Sequence, residues 1–204
     1  MSKQLQSSYK TIAAVAEGVY REKGSKFIAF AIPVQDEEEI KEKLLEIKKK
    51  YYDARHHCYA YILDYDQSTY RINDDGEPSG TAGRPIHGQL LSKELTFVLL
   101  VVVRYFGGIK LGVSGLIRAY KEASRDALEN ATIIEKYIKK KFQVTTRYES
   151  INSVMNILKS DSVQILNQQF EMDIRIQFSV HQVEAEAIVG QLEKVFHTEV
   201  IAIE

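Results

Sequence analysis

The sequence predicts an α+β protein of two domains, and three observations carry that expectation. Apolar runs of strand length, rich in β-branched and aromatic residues, alternate with turn-forming segments and helical patterns along the front of the chain. One of them, "TFVLLVVVR" at 96–104, has too little polarity for a half-exposed strand and belongs in the middle of a sheet covered on at least one face. Beyond residue 138 the order becomes β-α-β-β-α-β, in about the length a ferredoxin-like split βαβ arrangement requires. The domains are therefore read as 1–137 and 138–204.

Taken in order, "TIAAVAEGVY" and "KFIAFAIPV" within 9–34 read as two strands, with Gly24 in "REKGS" supplying any positive φ of the turn. Residues 36–50 place Ile40, Leu44 and Ile47 at helical spacing, with acids in the first turn and lysines in the last, as the helix dipole favours. "HCYAYIL" at 57–63 and "STYRIN" at 68–73 are strands, and "IHGQLLSKEL" is a short helix before the central strand. The clearest helix follows "YFGGIKLGVSG": Leu116, Ala119, Tyr120, Ala123, Ala127 and Leu128 share one face, and Ser114 is its expected N-cap. In the tail, strands at 141–148, 163–170, 171–180 and 198–204 and helices at 149–160 and 181–196 complete the pattern.

Charge is balanced over the 204 residues, with 27 basic and 28 acidic side chains, so the whole molecule has no field that gathers polyanions. Its distribution is uneven. Up to Lys141 there are 23 basic and 19 acidic residues, or +4; beyond it there are 4 and 9, or −5. An anionic partner is expected at the front, and a protein partner at the acidic tail. The one cysteine, Cys58, excludes an intramolecular disulfide and suits a reducing compartment. The N-terminus lacks a signal-peptide core, and the longest apolar run is too short for a bilayer, so a cytoplasmic protein with no membrane contact is expected.

Three constellations carry candidate chemistry. His56 and Cys58 in "RHHCYAY" share one face of a strand, but the sequence locates neither a group to orient the base nor oxyanion donors, and Cys58 reads as a small buried hydrophobe. Asp74, Asp75 and Glu77 offer oxygen ligands for a divalent cation; Asp-Asp-Gly is also turn chemistry, and the spacing of an EF-hand is missing. No metal, cofactor or catalytic residue is therefore assigned. The third constellation is "SGTAGRP" at 79–85 with "GGIKLGVSG" at 107–115, two glycine-rich segments ahead of helices, where backbone N–H groups favour anions. Neither is a Walker A or a dinucleotide fingerprint. Eight of the eleven glycines nevertheless fall between 76 and 115, interleaved with arginines and aromatic residues, a composition suited to phosphate neutralisation and base stacking. The expected nucleic-acid or anion-binding residues are Arg55, His56, Arg71, Gly80, Thr81, Gly83, Arg84, Arg104, Tyr105, Gly107, Gly108, Lys110, Ser114 and Arg118.

The run from "RHHCYAYI" through "NDDGEPSGTAGRPI" to "VVVRYFGGIKLGVSGLIRAY", with "GSKFIA" at 24–29, strongly resembles the YigZ/IMPACT family over most of residues 17–128. The tail is similar to the small C-terminal domain of the bacterial members. The resemblance implies a front domain like the second domain of ribosomal protein S5 and a ferredoxin-like domain similar to domain V of elongation factor G. Elongation factor G carries those two fold types consecutively, which suggests a ribosome-facing or RNA-facing protein. Eukaryotic members are linked with translational control through a competing protein interaction. The expected function is non-enzymatic binding of RNA or the ribosome. The alternatives are an enzyme or sensor for a small phosphorylated ligand at the glycine-rich loops, and a protein-interaction regulator without nucleic acid contact.

Overall fold

The computed structural model describes residues 6–203. Over Tyr9–Lys136, one of its two units, the chain forms β1 (Ser8–Ile12), β2 (Ala16–Glu22), β3 (Ser25–Pro33), α1 (Glu37–Lys50), β4 (His56–Leu63), β5 (Thr69–Asn73), α2 (Gly83–Ser92), β6 (Val98–Tyr105), α3 (Gly112–Glu129) and β7 (Ile133–Tyr137). The single strand expected across 11–20 is two strands. The Ala13 N–H bonds to the Thr132 carbonyl at 2.9 Å, and β1 pairs with β7 outside the main sheet. Between β2 and β3, Lys23 and Gly24 both take positive φ, 46° and 77°, the geometry of a two-residue hairpin turn whose twist matches its strands. At α1, the Asp36 carboxylate accepts from the N–H groups of Glu38 and Glu39, both at 2.9 Å, satisfying two donors that the helix cannot.

The main sheet has the order β2-β3-β6-β4-β5, with every neighbouring pair antiparallel. Central β6 is covered on both faces, and strand alternation divides its side chains. Val98, Leu100 and Val102 join Ile86 and Leu90 of α2 and Leu116, Ala119 and Tyr120 of α3 in one core. Leu99, Val101 and Val103 join Ile40 and Ile47 of α1 in the other. The same alternation on β4 sends Cys58 toward α2 and α3, and Tyr59 and Tyr61 toward α1. Continued to the end of β6, it places Arg104 on the α2/α3 face and Tyr105 on the α1 face.

The other unit contains β8 (Lys139–Thr146), α4 (Ile151–Leu158), β9 (Val163–Phe170), β10 (Ile174–His181), α5 (Ala185–Leu192) and β11 (Thr198–Ile203). Its sheet order is β11-β8-β10-β9, antiparallel throughout. Val154 and Leu158 of α4 and Ile188 and Leu192 of α5 pack with Val144, Ile176 and Phe178 in one core. Residues 6–8 belong to this unit rather than to the front one. The Ile138 N–H donates to the Ser7 carbonyl at 2.9 Å, and Gln182 Nε2 donates to the Gln6 carbonyl at 3.3 Å. No helix among the described residues is long and apolar enough to cross a membrane.

Candidate functional site

The loop from Asn73 to Pro85 is folded around its own acids. Asp74 Oδ1 accepts from the N–H groups of Ala82 and Gly83 at 3.0 and 2.8 Å, and Oδ2 accepts from Gly80 at 2.9 Å. Burial opposes the charge of Asp74, but these three backbone donors, with Arg84 nearby, outweigh it and hold the carboxyl below the usual carboxylate range. The donors expected to face a phosphate at the start of α2 are thus used by the protein's own carboxylate. Thr81 is buried, with its hydroxyl on the Pro78 carbonyl at 2.7 Å.

The other two acids turn elsewhere. Asp75 Oδ2 accepts from the His57 N–H at 2.7 Å. Glu77, 9% exposed, lies against Arg104 Nη1 at 2.5 Å and accepts from the Tyr120 hydroxyl at 2.8 Å. Among the described residues no three acids, histidines or cysteines are placed to hold a metal ion. Arg104 is 6% exposed, and its guanidinium carbon sits 5.4 Å from the Phe27 ring centre and 5.5 Å from that of Phe106, a double cation–π contact. Its charge is therefore paired inside the fold rather than standing free on an open surface.

Cys58 is fully buried beside Tyr120, 3.3 Å from its hydroxyl, and 3.0 Å from the Asp74 carbonyl. Burial pushes its thiol pKa far up, the reverse of what a nucleophile needs. His56 does face the same side of β4. Its Nδ1 is 2.8 Å from the Asp75 carbonyl, which only accepts, so Nδ1 carries the proton and Nε2 is left 3.9 Å from Glu77.

These groups border a cleft of about 560 Å³, lined by Arg55, His56, Glu77, Pro78, Arg104, Phe106, Lys110, Leu111, Gly112, Val113 and Leu116. Four of the expected residues meet here: Arg55, His56, Arg104 and Lys110. Gly80, Thr81, Gly83 and Arg84 belong to the loop closed on Asp74. Arg71 lies on β5 opposite Tyr61. Tyr105, on the α1 face, donates to Asp53 at 2.8 Å, and that bond pushes its hydroxyl pKa up to about 12. Arg118 is held by Glu22. Ser114 does not cap α3, which begins two residues earlier at Gly112 with no side-chain cap. Gly112 and Val113, the first two residues of the helix, line the cleft, as do Glu77 and Phe106. Glu77 stands in a sequence that reads as turn chemistry, so nothing in its neighbours signals that it anchors an arginine 27 positions further along the chain.

The glycine density has a largely structural origin. A Cβ on Gly107 would lie 1.9 Å from the Gly24 carbonyl carbon, and the Gly107 N–H donates to Ser25 Oγ at 3.1 Å. The β6–α3 loop thus rests on the β2–β3 turn, which explains why "GSK" and "FGG" are both glycine-bearing. Gly107→Ala is expected to destabilise the protein by about 1–3 kcal/mol, because backbone must move. Urea unfolding checks this, and Gly108→Ala separates close approach from conformation: Gly108 has φ of +85° with nothing within 4 Å of a Cβ.

The Impact N-terminal domain family matches residues 23–128. The IMPACT family member YvyE of Bacillus subtilis (strain 168) is 34% identical over 179 residues, covering 88% of this chain and 82% of its own. The IMPACT family member YigZ of Escherichia coli (strain K12) is 31% identical, with 73% and 74% covered. A crystal structure described only as that of a hypothetical protein matches with a TM-score of 0.74 at 28% identity, covering 98% of this chain and 99% of that one. With a domain match over residues 23–128 and identities above 30% across most of the chain and of its relatives, the chain belongs to the IMPACT family.

Proposed function

We propose that the protein is a non-enzymatic, translation-associated regulator that contacts RNA through its front unit. The observation that carries this reading is the cleft mouth. Arg55 and Lys110 stand there without an acidic partner among the described residues, while Phe106 is 41% exposed and Ile109 56% exposed beside them. Free cations next to exposed aromatic and aliphatic surface suit a phosphate backbone and unstacked bases. The buried Cys58 thiol, and Glu77 neutralised by Arg104, support binding rather than nucleophilic chemistry.

The finer fold assignment belongs to the same proposal. The front unit is read as resembling ribosomal protein S5 domain 2. The sheet order β11-β8-β10-β9, with α4 and α5 packed on one core, supports a ferredoxin-like tail. The acidic tail is then the surface for a protein partner.

Binding to single-stranded ribosomal RNA across a salt series tests the reading. Affinity is expected to fall with salt, and the double variant Arg55→Ala/Lys110→Ala should make the slope of log K against log salt shallower by about 0.7 per lost contact. Salt-independent binding, or a slope untouched by the double substitution, would sink it. Arg104 is unsuitable for this purpose because its removal disturbs the fold.

A further inference from the structure

We infer that the cleft seats one unpaired nucleotide, with its phosphate at the N-terminus of α3 and its base beside Phe106. The inference deepens the RNA-binding reading and rests on it only for where the nucleotide comes from.

Two independent features mark an anion position. The first is α3 itself, an 18-residue helix with no side-chain cap and no acidic residue in its first turn. Its opening residues Gly112 and Val113 line the cleft, and nothing lies within 4 Å of a Cβ built on Gly112, so a ligand can come close to the backbone. The second is Arg104. It lines the cleft at 6% exposure, and its Nε is buried with no acceptor among the described residues, so Glu77 does not exhaust its donors. Lys110 and Arg55 add two exposed cations to the lining of the cleft. The helix α2 makes the contrast: its first N–H groups are closed by Asp74, so of the two helix starts in this region α3 is the open one.

The remaining walls say what accompanies the phosphate. Phe106, Leu111, Val113 and Pro78 are apolar, and the volume of about 560 Å³ is that of a small-molecule site. Inorganic phosphate alone leaves those walls unmatched. A base stacked in a duplex cannot enter a cleft of this kind, whereas an unstacked base can lie on an aromatic ring. The chemistry is that of a nucleotide, whether free or within an RNA strand.

The test is fluorescence-anisotropy titration of the full chain with a labelled short single-stranded RNA, competed by AMP and by a blunt RNA duplex. Phe106→Ala is expected to weaken single-strand binding roughly tenfold or more and to leave duplex binding unchanged. Val113→Glu places a carboxylate at the α3 N-terminus. It should weaken binding similarly while keeping or raising thermal stability, because an acid suits that helix end. AMP competition would show that a free nucleotide enters the seat; substitution effects without AMP competition would show that the nucleotide must be part of a strand. Single-strand RNA binding unchanged in both variants overturns the seat and leaves the RNA reading standing. AMP binding lost in both variants, with no RNA binding, keeps the seat and removes the RNA reading. Binding of neither overturns both.

Discussion

Glu77→Ala is expected to cost about 3–5 kcal/mol of stability, the largest effect of any single side chain near the cleft. The substitution leaves Arg104, 6% exposed between two aromatic rings, as a charge without its counter-ion, and leaves the buried Tyr120 hydroxyl without its acceptor. Equilibrium urea unfolding at neutral pH measures the loss. The informative control is Glu77→Leu combined with Arg104→Met, which removes both charges and should recover much of the difference, because a buried ion pair often does little better than apolar groups of similar volume. A loss below about 1 kcal/mol in Glu77→Ala would mean that water already reaches the guanidinium.

Asp74→Ala should follow, at roughly 3 kcal/mol, since three backbone donors at the start of α2 lose a charged acceptor together. This effect carries a pH signature. The folded-state pKa of Asp74 is lowered relative to its ordinary value of about 4, so the carboxylate's contribution is complete above that value. It fades as the pH falls through the lower folded value. The gap between wild type and Asp74→Ala is therefore expected to be widest near neutrality and to narrow below about pH 4. A gap that stays constant from pH 7 to 3 would show that Asp74 acts by packing rather than as an anion.

Much of the fold was legible because it depends on local patterns. The unbroken apolar run at 98–103 announces a strand covered on at least one face, and the six apolar positions from Leu116 to Leu128 mark the buried face of α3. The misreadings occur where partners distant in sequence decide. The Ala13 bond to Thr132 splits the first strand, and the pairing of β1 with β7 makes a strand of Ile133–Tyr137, where the sequence reading placed no element. In the site, the sequence groups glycines and arginines together, whereas only Arg55, His56, Arg104 and Lys110 of the expected residues line the cleft, and their individual roles were opaque. Arg55 and Lys110 remain available as cations, while Arg104 and Arg118 are engaged by Glu77 and Glu22, residues 27 and 96 positions away. Spacing along the chain cannot tell a free arginine from one already matched. Nor can it show that Asp74 closes one helix start and leaves the other open.

Residues 6–8 belong to the tail unit, so the front unit is inserted between two stretches of it. From residues 6–8 of the tail unit the chain passes through the whole front unit and re-enters the tail unit at Tyr137. During synthesis the front unit has all of its strands once Lys136 has emerged, whereas the tail unit must wait for its last strand and for its own opening residues to be gathered in. Every residue of the front unit, those of the cleft included, is therefore synthesised before the chain re-enters the tail unit at Tyr137.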